Sequence, residues 1–367
     1  MGKRPTRDDV AREAGTSTAV VSYVINEGPR PVSEETKQKV LAAIHKTGYM
    51  PNGIAKSLAN GSSDTYALLV TDMANPFLAQ MAQALEHELF SRNKTLLVGD
   101  SNDDPARQLE LLEAFQRQQV SGLVWYGVDQ PLPLNAIDSY PGTVVLINQP
   151  AGSPAGQQAG RRIRVEVNEY AEAQMATEHL ISHGYQHLAM ISGPKERLNS
   201  RERIRGWKAA LRQADMEAGA LISAPYTRQG GYDAALQIGE ETDAVFVSNE
   251  LQAMGFLAGL AASGRRAPDD VAVVAMNRTP AASYLVPSLT AVQLPHAQMA
   301  KRIAEVLIGN IVDVEDGGNT VDTGSRHGAK PAGAGVRLEP GKNSDDLECI
   351  GVNHTLVIGH SCGCTGR

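Results

Sequence analysis

The sequence predicts an α/β protein: a small N-terminal helix-turn-helix head followed by a two-lobed body of doubly wound parallel sheets. Three observations predict it. Residues 6–26, TRDDVAREAGTSTAVVSYVIN, read as two short helical patterns broken at Gly15-Thr16. From Thr65 onward apolar strands alternate with amphipathic helices, the pattern of parallel sheets joined by right-handed crossovers. The chain of 367 residues is also too long for one ordinary core, so two or three domains are expected.

In the head, Thr6 can cap a first helix, with Asp8 and Asp9 at its positive end and Val10, Ala11 and Ala14 as its apolar stripe. Gly15 suits a left-handed stop, and Thr16 or Ser17 can cap the next helix. There Val21, Val24 and Ile25 share one face at i, i+3 and i+4. Ala19, Ser22, Tyr23 and Asn26 fall on the opposite face, with Thr18 in the exposed first turn. A recognition helix presents such N-terminal side chains to base edges in the major groove. A third helix is expected from Ser33 to Thr47, stopping at Gly48, with Val40, Leu41 and Ile44 closing a three-helix core. Residues Ile54–Asn60 are too few to hold a helix alone, given the cost of nucleation, and read as a hinge that needs partners.

In the body the expected strands are Tyr66–Val70, Leu96–Gly99, Gly122–Tyr126, Val144–Asn148, His187–Ser192, Ala244–Ser248 and Val271–Met276. Helices are expected over Phe77–Arg92, Pro105–Gln118, Glu169–Ser182, Arg201–Ala214 and Leu251–Ser263. Ligands in such sheets sit at the carboxyl ends of strands, so two lobes imply a cleft between them.

Net charge is −7, which alone argues against nucleic acid, but the distribution is uneven. Residues 1–60 hold nine Lys/Arg against six Asp/Glu, leaving 25 against 35 in the remainder. A basic head on an acidic body fits DNA binding confined to one end. No apolar run reaches the length of a membrane span and the N-terminus lacks an apolar signal region, so a cytoplasmic protein without membrane partners is expected. Cys349, Cys362 and Cys364 lie near the C-terminus and do not suggest a disulfide framework.

Two stretches of the head, DDVAREAGTSTAVVSYVIN and PVSEETKQKVLAAIHKTGYMPNGIAKSLA, resemble the head piece and hinge of the lactose-repressor/purine-repressor (galactose-repressor) family. The resemblance implies a homodimer whose recognition helices enter successive major grooves of a near-palindromic operator. Thr18, Ala19, Ser22 and Tyr23 match its base-reading positions, Leu58 its minor-groove wedge, and Ala55 and Ala59 the wedge's small neighbours. With Thr6, Ser17 and Asn26 these make up the expected DNA-facing set. Ala19 and Tyr23 replace the longer polar or basic residues common in relatives, so the operator sequence does not carry over. Ala19 offers only apolar contact, for example with a thymine methyl.

The resemblance continues to about residue 311 through TDMANPFLAQM, VSGLVWYG, ATEHLISHGYQHLAMISGP and SNELQAMGFLAGLAASGRRAPDDVAVVAMNRTP. It implies a periplasmic-binding-protein-like effector domain over 63–311, after a head over 1–50 and a hinge over 51–62. The first lobe would comprise 64–162 and about 292–311, the second 163–291. Ligand positions carry over to Phe77, Tyr126, Asn148, Arg197, Arg203 and Asn249. Asn277-Arg278 stands where relatives commonly have two aspartates, so two effector classes stay open. Arg197, Arg203 and Arg278 converging would suit a carboxylate or phosphate; an Arg278 turned to solvent would leave Asn277 to bind a sugar.

Residues 312–345 are Gly-, Asp- and Lys-rich and read as an atypical loop-rich insertion, with 346–367 as a final second-lobe strand, His354–Gly359, and tail. Gly359-His360-Ser361-Cys362-Gly363 matches a hydrolase nucleophile pattern, but the acid and histidine that should follow are missing. Cys362 and Cys364 are expected as exposed tail thiols. The expectation is a ligand-responsive transcription regulator, a repressor before an activator of the same architecture, with no catalytic residues, metal or cofactor. A sugar-binding receptor would need a signal peptide in place of the head. A dimer is preferred to a tetramer, because no C-terminal leucine heptads are present to bundle four chains.

Overall fold

The computed structural model describes residues 5–26, 28, 30–50, 63–127, 134–147, 160–309, 336–339 and 348–364. The chain divides into Met1–Ser63 and Asp64–Arg367. Asn148 and the hinge residues Ala55, Leu58 and Ala59 lie outside the described residues, as does most of the 312–345 insertion.

The first unit is three helices: α1 Arg7–Glu13, α2 Thr18–Asn26 and α3 Glu34–Thr47. Thr6 and Asp9 form a reciprocal capping box, with the Thr6 N–H donating to the Asp9 carboxylate at 2.8 Å. Gly15, at φ +65°, ends α1 in the left-handed region, and the Thr16 N–H reaches back to Ala11 O at 2.9 Å. Ser17 Oγ then accepts from the Val20 N–H at 3.3 Å to open α2. Val10, Ala11, Val21, Val40, Ala43 and Tyr49 form the core, with Ala14, Val24, Ile25 and Ile44 packed against it. Leu41, expected inside, is exposed: the buried stripe of α3 runs through 40, 43 and 44, which turns position 41 outward.

The second unit contains two sheets. The first holds β1 Thr65–Val70, β2 Thr95–Asp100, β3 Gly122–Tyr126, β4 Thr143–Ile147, β5 Arg162–Val167, β11 Val336–Glu339 and β12 Glu348–Val352. Their order is β11-β12-β5-β4-β3-β1-β2, parallel except for β11 against β12. The second holds β6 Leu188–Ser192, β7 Leu221–Ser223, β8 Ala244–Val247, β9 Ala272–Ala275, β10 Thr290–Gln293 and β13 Thr355–Val357. Their order is β13-β10-β9-β8-β6-β7, parallel except for the edge strand β13.

Helices α4 Pro76–Phe90, α5 Pro105–Arg117, α6 Leu134–Asp138 and α11 His296–Ile308 belong to the first lobe. The second carries α7 Glu169–Ser182, α8 Leu198–Gln213, α9 Arg228–Ala235 and α10 Glu250–Ala262. Each sheet buries both faces, as near-continuous apolar strands such as Ala67–Val70 and Ala244–Val247 require. Met299, Ala300, Ile303, Ala304, Val306 and Leu307 of α11 enter the first-lobe core.

Two lobe assignments need correcting. Arg162–Val167 pairs with β4 in the first sheet, so the chain passes to the second lobe after Val167 rather than after 162. The final segment is shared: Ile350 and Val352 of β12 are buried in the first lobe, and only Thr355–Val357 pairs in the second. The chain thus passes between lobes near 168, 294 and 353. The tail also departs from expectation. Cys362 is fully buried in the second-lobe core and Cys364 is half-buried against it.

Candidate functional site

The carboxyl ends of the strands of both sheets face one cleft of about 290 Å³. Thr71 and Asp72 follow β1, Asn102 and Asp103 follow β2, and Tyr126 ends β3. From the second lobe come Pro194 after β6, Tyr226 and Thr227 after β7, Asn249 after β8 and Asn277 after β9. This is where doubly wound sheets place ligands, because each strand hands the chain to a helix at that edge.

Local sequence fixes several of these side chains. Asn75 caps α4, its Oδ1 accepting from the Phe77 N–H at 3.1 Å, and Pro76 follows at the first helical position. Phe77 then stands edge-on to Tyr126, ring centroids 6.3 Å apart. Asn249 caps α10 in the same way, its Oδ1 accepting from the Gln252 N–H at 2.7 Å. That bond fixes the Asn249 side chain and leaves its Nδ2 donor and the second lone pair of Oδ1 to offer a ligand. Asn102, Asp103 and Asn277 have left-handed backbones, at φ 50°, 58° and 61°. Half of the non-glycine residues so bent among the described residues therefore line the cleft, each of a type that tolerates this region.

Arg203 is buried, donating from Nε to Glu169 Oε2 and from Nη1 to Ser248 O, both at 2.7 Å. Burial alone would lower its pKa; the Glu169 carboxylate outweighs this and raises it. Behind the pair lies the buried Glu172, whose pKa is driven well up by burial and by Glu169. His354, on the third passage between lobes, puts Nδ1 at 3.4 Å from Glu172 Oε1, and burial lowers its pKa. Tyr226 lies across the Arg203 guanidinium at 5.7 Å and shares a 2.7 Å hydrogen bond with Ser200. Its ring occupies the space above Gly193, where a Cβ would fall 2.1 Å from Cζ.

Of the expected ligand residues, Phe77, Tyr126, Arg197, Arg203, Asn249 and Asn277 line this cleft together. Arg278 does not; its Nη2 donates to Ser283 Oγ at 2.6 Å, in the turn that follows. Of the two arrangements left open, the three-arginine cradle is not formed, because Arg197 is paired with Asp103, Arg203 with Glu169, and Arg278 is bonded to Ser283. Asn75, Asn102, Asp103, Asn199 and Tyr226 also lie in the lining without having been expected there. Asn75-Pro76 was legible as a helix start; Tyr226, in a short strand-to-helix turn, gave no signal.

In the head, Thr6, Ser17, Thr18 and Ala19 are exposed, and Ser22 and Tyr23 are half-buried on the open side of α2. A Cβ at Gly28 would fall 2.5 Å from Tyr23 Cδ1, so this glycine leaves the ring its place. Ser361 of the hydrolase-like pattern is buried, its Oγ donating to Val273 O at 2.6 Å and accepting from the Thr290 N–H at 2.9 Å. No helix among the described residues is long and apolar enough to cross a membrane.

Comparison with known proteins places both units. Residues 6–52 match the family described as bacterial regulatory proteins, lacI family, and residues 177–324 match a periplasmic binding protein-like domain. The ribose operon repressor of Escherichia coli (strain K12) is 30% identical over 312 residues, covering 83% of this chain and 93% of that protein. The HTH-type transcriptional repressor PurR of Photobacterium profundum is 29% identical, covering 84% and 92%. A transcriptional regulator CelR–cellobiose complex superposes with TM-score 0.64 at 25% identity, over 98% of this chain and 100% of that one. The lac repressor dimer bound to operator and an anti-inducer shares the fold, with TM-score 0.72 at 23% identity, over 84% and 94%. A helix-turn-helix head joined to a two-lobed ligand-binding body, with these likenesses along most of its length, makes this chain a member of the lacI family: a ligand-responsive, DNA-binding transcription regulator.

Proposed function

We propose that the chain is a dimeric repressor that reads a near-palindromic operator through Thr18, Ala19, Ser22 and Tyr23, aided by Leu58 in the hinge. Its effector is a neutral, polyhydroxylated molecule of monosaccharide size held in the interlobe cleft. The observation that carries the effector class is charge balance. Both cleft arginines already face carboxylates, Arg197 with Asp103 and Arg203 with Glu169. An anion would have to displace those partners, whereas hydroxyl groups can hydrogen-bond alongside them. Asn75, Asn102, Asn199, Asn249 and Asn277 supply neutral donors and acceptors, and Phe77, Tyr126 and Tyr226 supply flat apolar faces. Asn277 presents an amide from a left-handed turn, at the position where the resemblance implies an aspartate.

The mechanism is linkage. A ligand touching both lobes favours the closed arrangement, and closure about the three chain passages changes how far apart the dimer holds its two hinges. That biases hinge and head toward, or away from, a DNA-competent state. The operator-facing helix carries no Lys or Arg, so its selectivity rests on hydroxyl, methyl and aromatic contacts, while Arg7, Lys37 and other head cations serve phosphates.

Isothermal titration calorimetry with neutral sugars and polyols, beside sugar phosphates and carboxylates, tests the effector class. Binding by a neutral compound that also shifts operator affinity supports it. Binding by anions alone overturns it.

A further inference from the structure

The last described residues leave β13 and fold back onto the end of α7. Ser361 anchors them between β9 and β10, the Gly359 N–H donates to Thr290 Oγ1 at 2.8 Å, and Tyr185 Oη donates to Cys362 O at 3.2 Å. Gly363 reverses the chain at φ +88°, and a Cβ there would fall 2.6 Å from Tyr185 Oη. The Cys-Gly-Cys turn thereby brings both thiols to one side. Facing them, α7 presents His179 in its last turn and His183 at its cap, i and i+4 on one face. The sulfurs and one ring nitrogen from each histidine all lie within 4.8 Å of one another. Cys364 Sγ is 3.2 Å from His183 Nε2 and 3.7 Å from His179 Nε2. The two imidazoles meet nearly edge to face, at 74° with centroids 4.8 Å apart.

We propose that His179, His183, Cys362 and Cys364 form a closed, structural zinc(II) site that fastens the C-terminal segment to the second lobe. Zinc binds such Cys2His2 sets tetrahedrally with bonds of about 2.0–2.3 Å, which puts neighbouring donors roughly 3.3–3.8 Å apart. The Cys364–histidine distances already lie near that range. Binding releases two thiol protons to water; two thiolates and two neutral imidazoles then balance the dication, so the half-buried site needs no further counter-ion. Thr290 Oγ1, donating to Cys362 Sγ at 3.0 Å, supplies the outer hydrogen bond that steadies a thiolate ligand. Thiolate with imidazole selects zinc over calcium or magnesium, and four protein donors leave no open position for catalysis. The fastened segment follows β13, which pairs with β10, the strand leading into the passage near 294. Metal binding therefore stiffens two of the three connections between lobes.

Cobalt(II) substitution with zinc competition in the reduced full-length chain, stripped with a chelator, is the test. The expected result is one equivalent of cobalt giving the intense visible bands and sulfur-to-metal charge transfer of a tetrahedral dithiolate site. One equivalent of zinc should displace it and raise Tm. Cys364→Ser and His183→Ala, at half-buried and exposed positions the fold tolerates, should each weaken zinc binding at least about 100-fold with unchanged far-UV circular dichroism. A pale octahedral cobalt spectrum overturns the proposal. So does unchanged zinc affinity in either variant, or failure of the reduced chain to take up one equivalent.

Discussion

Arg203 and Glu169 form a buried ion pair, Nε to Oε2 at 2.7 Å, directly beneath the interlobe cleft, with Glu172 behind them, its pKa raised by burial and by Glu169. Removing one member of such a pair leaves a buried charge without compensation. Arg203→Met should therefore cost roughly 3–5 kcal/mol in urea denaturation, while Arg203→Met with Glu169→Gln should recover much of that loss. A single variant as stable as the parent would show that the pair contributes little, and would reopen Arg203 for an anionic ligand.

His296 opens α11 and stands edge-on to Phe77, ring centroids 4.6 Å apart. Burial lowers its pKa from 6.5 to about 4. The folded chain thus holds this proton less firmly than the unfolded chain, and unfolding takes up a proton between those two values. Stability is full above about pH 6.5 and falls as pH drops toward 4, by at most roughly 3 kcal/mol. Denaturation midpoints across this window should fall less steeply in His296→Phe than in the parent; identical slopes would count against the assignment.

Gly193 leaves room for the Tyr226 ring, and that ring covers the Arg203 guanidinium. Gly193→Ala should push the ring away, cost roughly 1–3 kcal/mol of stability, and weaken effector binding by more than tenfold in calorimetry. Operator binding without effector should change little, because the atoms nearest a Cβ at Gly193 belong to the Tyr226 ring in the cleft.

Leu58→Ala addresses the hinge, which lies outside the described residues. It should weaken operator binding at least about tenfold in fluorescence anisotropy while leaving effector affinity nearly unchanged. Equal operator affinity would remove the wedge from the account.

How much of this was legible beforehand depended on whether a feature was local. The cap at Thr6, the stop at Gly15 and the cap at Ser33 are short-range signals that stand in the structure, where Asp9 also completes a capping box with Thr6. Long apolar strands between amphipathic helices were equally plain, because burial on both faces leaves a continuous run. Arg162–Val167 escaped because Arg162, Arg164 and Glu166 alternate with its apolar residues and interrupt that run. Glu348–Val352 escaped because a short strand beside a polar stretch resembles a loop. Six cleft residues could be placed from the resemblance, but the failure of three arginines to converge could not. That outcome depends on Asp103, Glu169 and Ser283, which lie 94, 34 and 5 positions from their partners. The tail thiols were misjudged for the same reason, since their neighbours on α7 are about 180 residues away.

In the proposed mechanism the cleft and the DNA-reading helix share one equilibrium. Anisotropy titration of a labelled operator duplex, selected from random DNA, with and without a saturating neutral effector, tests it most directly. A shift in operator affinity of roughly 5- to 150-fold is predicted, with effector affinity changing by the same factor when operator is bound. An effector that binds the cleft tightly yet leaves operator affinity unchanged would contradict the account.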